Sequence, residues 1–522
     1  MKRKIKVYSN GKYVEKNISY IPMRYICAIL LSIIEILLII HITALFAIYI
    51  PYFYIAIILT VVGVVIHIIA SNENPDYKIP WLLFVIVLPI IGFMLYLMFH
   101  QRKLPKKYSE KFYKYDNSLL LDDSSNFNNL KNEDSLAYSQ AYELSKISNS
   151  NLYRNTELKY YPSGELMYLD IIGDLKKAKS FIFLEYFIIE EGKFWNSILN
   201  VLIEKANEGV EVRLIYDDIG CMNTLPGNYY KKLNKYKIKT VLFSKLKGQA
   251  NGEFNNRSHR KILVIDSFVG YTGGINIADE YINEIERFGY WKDTGIRLEG
   301  EAVVELAKLF LTDYYINTKK EYNIDFNKYY IDYKKSNSSY IIPFGDGPNP
   351  IYKYNVGKIV IMNMLNQAKD YVYITTPYLI TDKELMNAIE NTALRGVKVK
   401  IIVPYIPDKK MVFAMTKSNY RLLIKSGVEI YEYKPGFIHS KLYICDDKIA
   451  MIGTINLDYR SLTHHFENGV WIYNDSCIND MKNDFNEEIS KSIYMNDVKF
   501  KDKILARFFR SIVRVFSPLL WF

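Results

Sequence analysis

The chain begins polar, turns apolar as far as Phe99, and then alternates short apolar runs with amphipathic ones to its end. Residues 1–22 form a basic tail with Lys2, Arg3, Lys4, Lys6, Lys12 and Lys16. Roughly 24–50 is apolar and long enough to span a bilayer, and Pro51 breaks it before a second apolar run at about 52–70. After the polar turn Ser71–Lys78 a third run extends from Ile79 to Phe99. Region 23–99 is therefore predicted to hold three membrane-spanning helices. A cleavable signal would show one short apolar core with a small-residue cleavage site, and this region does not. Sidedness stays open. The basic tail belongs in the cytoplasm, which three spans would oppose to the catalytic part, yet Arg102, Lys103, Lys106 and Lys107 pull the far end inward too. Glu35, His41 and His67 lie in or near these runs and are functional candidates by position. Facing a neighbouring helix or the interface accounts for them better, since the soluble part already holds a complete set of chemical groups.

Residues 100–150 read as a polar linker, Ser/Asn/Asp-rich from Asp122 to Ser135. Beyond it the pattern repeats. The apolar strand Ser180–Phe187 matches Tyr371–Tyr378; helical stretches follow at about 193–208 and 383–395; then Gly209–Tyr216 matches Gly396–Val403. Strand, helix and strand in that order predict parallel βαβ units in an α/β fold, with each sheet covered on both faces. The chain thus divides into two like domains, 151–330 and 331–502, with a polar join at about Lys328–Asn349. Such halves pack about a pseudo-two-fold axis with equivalent edges meeting. The tail, 503–522, sets Arg507, Arg510 and Arg514 among Phe508, Phe509, Ile512 and Val515. That spacing suits a helix in a membrane interface, or one docked on a domain core.

Each half carries the same constellation: His259 and Lys261, then Asp266, then Gly274 and Asn276; His439 and Lys441, then Asp446, then Thr454 and Asn456. The offsets are identical. A lone His-x-Lys is a weak signal, but two complete copies point to one shared active site. Residues two apart on a strand share a face, so each histidine lies beside its lysine. Asp266 and Asp446 stand at an odd offset from the histidines, so they are expected to hold loops while each histidine's acidic partner comes from elsewhere.

Charge and cysteines narrow the class. Lys and Arg number 67 against 56 acids, a net +11, which suits an anionic partner. The four cysteines, Cys27, Cys221, Cys445 and Cys477, show no C-x-x-C spacing, against a zinc site or disulfide framework. The motif chemistry needs no metal or other cofactor. A neutral imidazole is a competent nucleophile toward phosphorus, and a second can protonate the leaving alcohol and then deprotonate the incoming one. Lys261 and Lys441 supply positive charge where the phosphoryl oxygens gain negative charge. Asn276 and Asn456 can donate to the same oxygens, and Gly273, Gly274 and Gly453 allow close backbone approach.

Both copies match the phospholipase D superfamily signature, and from about Ile55 onward the chain resembles bacterial cardiolipin synthases. The resemblance is carried also by Asn74–Trp81, Tyr216–Gly220, Trp291–Gly295 and Ile374–Tyr378. It implies tandem phospholipase D-like domains behind membrane helices, in a multi-pass protein of the bacterial cell membrane. It implies a reaction joining two phosphatidylglycerol molecules into cardiolipin with release of glycerol, through a phosphohistidine. By the same resemblance His259 is the nucleophile and His439 the general acid and base; Asp293 supports His439 and Glu467 supports His259. The first copy departs in having Gly274 where many members have Ser, and the run 24–50 is an addition to the usual two spans. The same histidines would serve a phospholipase D, or a transferase using another alcohol. A nuclease is opposed by the spans, so no nucleic-acid partner is expected beside the anionic phospholipid and the bilayer. An inactive lipid-binding scaffold is opposed by the complete double motif. Nothing in the sequence sets an oligomeric state.

Overall fold

The aliphatic, β-branched runs singled out above pair into two like sheets, and the helices between them bury one face each. The structure, a computed structural model, describes residues 2–9, 12–19, 23–45, 50–71, 73–100, 106–116, 124–245, 256–318, 326–329, 338–498 and 512–519. The chain divides into two units. One comprises Met1–Arg102, Gly248–Phe254 and Asp502–Phe522; the other comprises Lys103–Lys247 and Asn255–Lys501 and holds both repeats.

The first sheet has the spatial order Thr156–Tyr161, Gly295–Gly300, Val269–Gly273, Lys261–Ile265, Phe181–Tyr186, Glu211–Asp217, Lys239–Phe243. The second runs Tyr340–Asp346, Glu467–Tyr473, Ile449–Gly453, Leu442–Cys445, Tyr371–Thr375, Lys398–Pro404, Glu429–Tyr433, Ser492–Tyr494. In each, one end is the expected parallel βαβ unit. Phe181–Tyr186 pairs in parallel with Glu211–Asp217 across the helix Lys193–Asn207, and Tyr371–Thr375 does so with Lys398–Pro404 across Lys383–Leu394.

Lys239–Phe243 and Glu429–Tyr433 extend the parallel run by one strand each. The remaining pairings of each sheet are antiparallel, which the expectation of parallel units did not include. The reason is local. Asp266 and Ser267 (φ 53° and 49°), and Asp446 and Asp447 (φ 52° and 56°), are consecutive left-handed residues of tight hairpin turns. Each lysine-bearing strand must therefore return antiparallel, as Leu263 opposite Tyr271 and Tyr443 opposite Met451 show. The turn carboxylates bind neighbouring backbone. Asp266 accepts from the N–H groups of Lys179, Ser180 and Phe181 at 2.8 Å each. Asp446 does the same for Lys369, Asp370 and Tyr371 at 2.8, 3.0 and 2.7 Å.

The helix Val303–Asn317 is buried along nearly its whole length. It packs on the first sheet and also on Tyr340–Asp346 of the second, with Phe310 stacked on Phe183 at 4.8 Å. One continuous core consequently includes strands of both halves.

In the first unit the helices Met23–Leu45 and Ile50–Ala70 follow the first two apolar runs. By length and apolar composition Pro51–Ala70 is a candidate membrane span, and Ile26–Ile42 within Met23–Leu45 is a shorter apolar stretch, among the described residues. The third run, expected as a single span over 79–99, is instead two short helices, Pro75–Val87 and Pro89–Phe99. Pro89 removes an N–H donor and pushes Leu88 out of the helical region, to φ −127° and ψ 75°. The chain doubles back there. Trp81 and Tyr96 meet with ring centroids 5.6 Å apart, and Glu73 pairs with His100 at 3.1 Å, so the hairpin's two ends lie together. Gly92 permits the approach, because a Cβ at that position would sit 2.1 Å from the Phe84 carbonyl oxygen. From the C-terminal tail, Phe516 packs on Phe84 at 5.0 Å. Arg507 and Arg510, on which the amphipathic reading also rested, lie outside the described residues.

Candidate active site

Two short backbone pairings between the halves build the site. Before its strand, the segment Arg257-Ser258-His259 runs beside Phe466: His259 N–H donates to the Phe466 carbonyl at 2.8 Å, and Phe466 N–H to the Arg257 carbonyl at 2.9 Å. In the other half Gly436–Ile438 pairs in parallel with Tyr290–Lys292, and His439 N–H donates to the Lys292 carbonyl at 2.7 Å. Each pairing puts the residue after the partner strand, or opening it, beside the histidine of the opposite half. Those residues are Glu467 and Asp293.

The His259 ring places Nδ1 2.9 Å from Glu467 Oε2, and the His439 ring places Nδ1 2.6 Å from Asp293 Oδ2. Both carboxylates are fully buried. A carboxylate on Nδ1 fixes the tautomer and leaves Nε2 free to react. Further donors hold Glu467: the hydroxyl of Ser461 at 2.7 Å and that of Thr454. Asp293 has no such hydroxyl from the equivalent position, since Gly274 occupies it. A Cβ on Gly274 would lie 2.0 Å from Asp293 Oδ1, so the missing side chain is what admits the carboxylate.

Lys261 and Lys441 are buried beside the rings, their ammonium groups on the carbonyl oxygens of His259 (2.7 Å) and His439 respectively. Burial pushes Lys261 down to about 7 and Lys441 to about 8, with Glu467 and Asp293 respectively opposing it first among the charges. Burial also pulls His439 down to about 4, aided by Lys441 and opposed by Asp293. For His259, burial and then the charges of Lys261 and Lys441 hold the ring well below its ordinary value. Each lysine thus acts on the histidine of both halves, as groups around one pocket do. Both imidazoles are neutral near pH 7 in the free protein.

The remaining sequence-derived candidates are placed as follows. Asn276 is buried and spans two structural partners, accepting from Ile188 N–H at 3.1 Å and donating to the Tyr281 hydroxyl at 2.8 Å. Asn456 is buried with Oδ1 unbonded among the described residues. Asp266 and Asp446 sit in their hairpin turns on backbone N–H groups. Glu35 is buried in the first unit, neither oxygen hydrogen-bonded among the described residues, beside an apolar cavity of about 320 Å³.

Several supports have no counterpart in the motif. Arg257 forms a buried ion pair with Asp217 at 2.8 Å, and Arg260 one with Asp313 at 2.7 Å. Arg260 also donates to the Glu467 carbonyl at 3.0 Å, tying the first motif to the second half. Ser461 and His465 beside Glu467 were not singled out either. Spacing alone could not find them, since the first half lacks equivalents. For a metal, among the described residues His259, His465 and Glu467 offer one ligand atom each within 4.8 Å of one another.

Residues 171–296 and 361–489 match the family described as "Cardiolipin synthase, PLD-like domain", and 57–100 match "Phospholipase_D-nuclease N-terminal". A cardiolipin synthase of Alkalihalophilus pseudofirmus is 36% identical over 383 residues, spanning 72% of this chain and 74% of that one. The chain belongs to the cardiolipin synthase family. An uncharacterised protein of Streptococcus mutans is 44% identical over 412 residues, spanning 78% of this chain and 87% of its own length. The crystal structure of phosphatidylserine synthase from Haemophilus influenzae superposes with a TM-score of 0.56, covering 73% of this chain and 100% of that one. At 17% identity that likeness shows the shared fold. This family member is a phosphatidyltransferase-type enzyme with tandem phospholipase D-like domains, acting on phospholipid. Each family-matched domain contributes one of the paired histidines, and the match from residue 57 begins within the helix Ile50–Ala70 and ends at the hairpin's last residue, His100.

Proposed function

We propose that the enzyme makes cardiolipin from two molecules of phosphatidylglycerol, with His259 as nucleophile and His439 as general acid and base. The observation that carries this reading is the crossed pairing of each histidine with a carboxylate of the opposite half, beside two buried lysines. Nε2 of His259 attacks the phosphorus, the bond from phosphorus to the glycerol oxygen breaks, and His439 protonates that oxygen. Glycerol leaves. A hydroxyl of the second phosphatidylglycerol then gives its proton to His439 and attacks the phosphorus, the bond from phosphorus to His259 Nε2 breaks, and cardiolipin departs. In the free protein His439 is neutral, so it takes up its proton when the anionic phosphodiester offsets the lysine charges. Asp293 favours the charged form, and Glu467 balances the charge on phosphorylated His259. Lys261 and Lys441 bind the non-bridging oxygens.

The hairpin offers a way to reconcile the two basic segments. Helices of 13 and 11 residues reach only about 20 and 16 Å, short of the ~30 Å hydrocarbon core. The hairpin re-enters the face it left, as the Glu73–His100 pair at its ends supports. With Met23–Leu45 and Ile50–Ala70 as the two spans, the N-terminal tail and the Arg102–Lys107 cluster both face the cytoplasm. The protein is then a multi-pass membrane enzyme with its chemistry on the cytoplasmic side.

Purified protein in detergent, given phosphatidylglycerol alone, is expected to yield cardiolipin and glycerol in equal amounts, read by mass spectrometry. Phosphatidic acid as the sole lipid product would make it a hydrolase instead.

A further inference from the structure

Two residues before each supporting carboxylate the halves differ: Trp291 precedes Asp293, and His465 precedes Glu467. Each of these rings lies 5.5 Å from the ring of the catalytic histidine it faces, Trp291 from His439 and His465 from His259. The indole Nε1 is also buried without a hydrogen-bond partner among the described residues, but an indole N–H only donates and offers no lone pair to a cation. An imidazole does. Its two nitrogens are shielded from solvent and make no hydrogen bond among the described residues, the nearest acid being Glu467 Oε1 at 3.5 Å from Nδ1. Glu467 also receives Nδ1 of His259, at 3.1 Å on the same oxygen. Two imidazole nitrogens and a carboxylate oxygen thus converge within 4.8 Å of one another.

We infer that His259, His465 and Glu467 form an inhibitory site for a borderline transition-metal ion such as Zn²⁺. Two histidines and one carboxylate are a ligand set that zinc adopts, leaving a fourth position for water. The ion replaces the proton on His259 Nδ1, which leaves to solvent, and the bond to Glu467 passes from that N–H to the metal. Held this way, the nucleophile loses the carboxylate that balances its charge on phosphorylation. Lys261, Lys441 and Arg460 oppose any cation here, so binding depends on all three ligands rather than on the field of the pocket. Mg²⁺ and Ca²⁺, which want oxygen ligands, are not held. That binding inhibits turnover rests on the proposed role of His259; the binding itself does not.

Cobalt(II) separates the two. Added to the full-length protein in detergent without lipid, Co²⁺ is expected to give the visible bands of a low-coordinate centre, which Zn²⁺ abolishes and Mg²⁺ does not. His465→Asn and His465→Ala should each weaken Co²⁺ affinity by more than about ten-fold, with thermal unfolding verifying the fold of each variant. Zn²⁺ should inhibit wild-type turnover reversibly, EDTA restoring it. Absence of the bands in the wild type, or unchanged affinity in a folded His465 variant, overturns the site. Bands without inhibition overturn only the inhibitory role and bring the assignment of His259 into question with it. If both variants unfold, loss of the Co²⁺ bands on modifying wild-type histidines with diethylpyrocarbonate, against protection by Zn²⁺, decides the matter: bands that survive modification overturn the proposal.

Discussion

At the scale of single residues, the site works by making imidazoles neutral and lysines easy to discharge. His439 is held at about 4 and His259 well below its usual range, so on the proposed mechanism protonation of His259 removes the nucleophile only in acid. Lys261 and Lys441, at about 7 and 8, lose their charge as pH rises through those values. We therefore expect kcat/KM to fall with pH once His439 is neutral in the free protein, above about pH 4, and to fall more steeply above about pH 7 to 8 as the lysines discharge. The alkaline limb of kcat should lie at higher pH, because a bound phosphodiester anion favours the charged lysines. A profile still rising at pH 9 would show that lysine charge is not needed. His259→Ala and His439→Ala should each lower kcat by at least about 1,000-fold with thermal unfolding little changed. Glu467→Gln and Asp293→Asn should cost on the order of 100-fold or more, since the carboxylate that sets tautomer and charge is gone.

Among the elements, the hairpin turns and cross-half pairings do the positioning. Asp266→Ala leaves three N–H groups of residues 179–181 without their acceptor. It should lower stability by roughly 1–3 kcal/mol, read as a drop in Tm, and residual activity should track the folded fraction. A large loss of kcat at unchanged Tm would instead give Asp266 a direct part in the chemistry. Much of this layer was legible in the sequence. The repeat fixed the strand–helix–strand units, and the odd offset of Asp266 and Asp446 kept them off the face of the histidines. The antiparallel half was not legible, because consecutive left-handed residues at Asp266-Ser267 and Asp446-Asp447 carry no glycine to announce the turn. Hydrophobicity alone could not divide the run 79–99 either; the break comes from Pro89 and the close approach at Gly92. Ser461 and His465 stayed hidden for a different reason, being features of one half only, which a search for matching halves passes over.

For the molecule as a whole, the proposed topology of two spans and a re-entrant hairpin can be checked directly. Cysteines placed singly at the N-terminal tail and next to Arg102, in a cysteine-free background, should both resist an impermeant maleimide in intact cells and react in inside-out vesicles. Labelling of only one of them from outside would mean an odd number of crossings.

The crossed carboxylates carry a consequence for how such a protein can be divided. Cut between its repeats, each piece would keep a complete histidine, lysine and asparagine set but would have sent its acid away with the other piece. Activity should therefore return only when the two pieces are mixed and reassociate, and it should follow the product of their concentrations, not the amount of either.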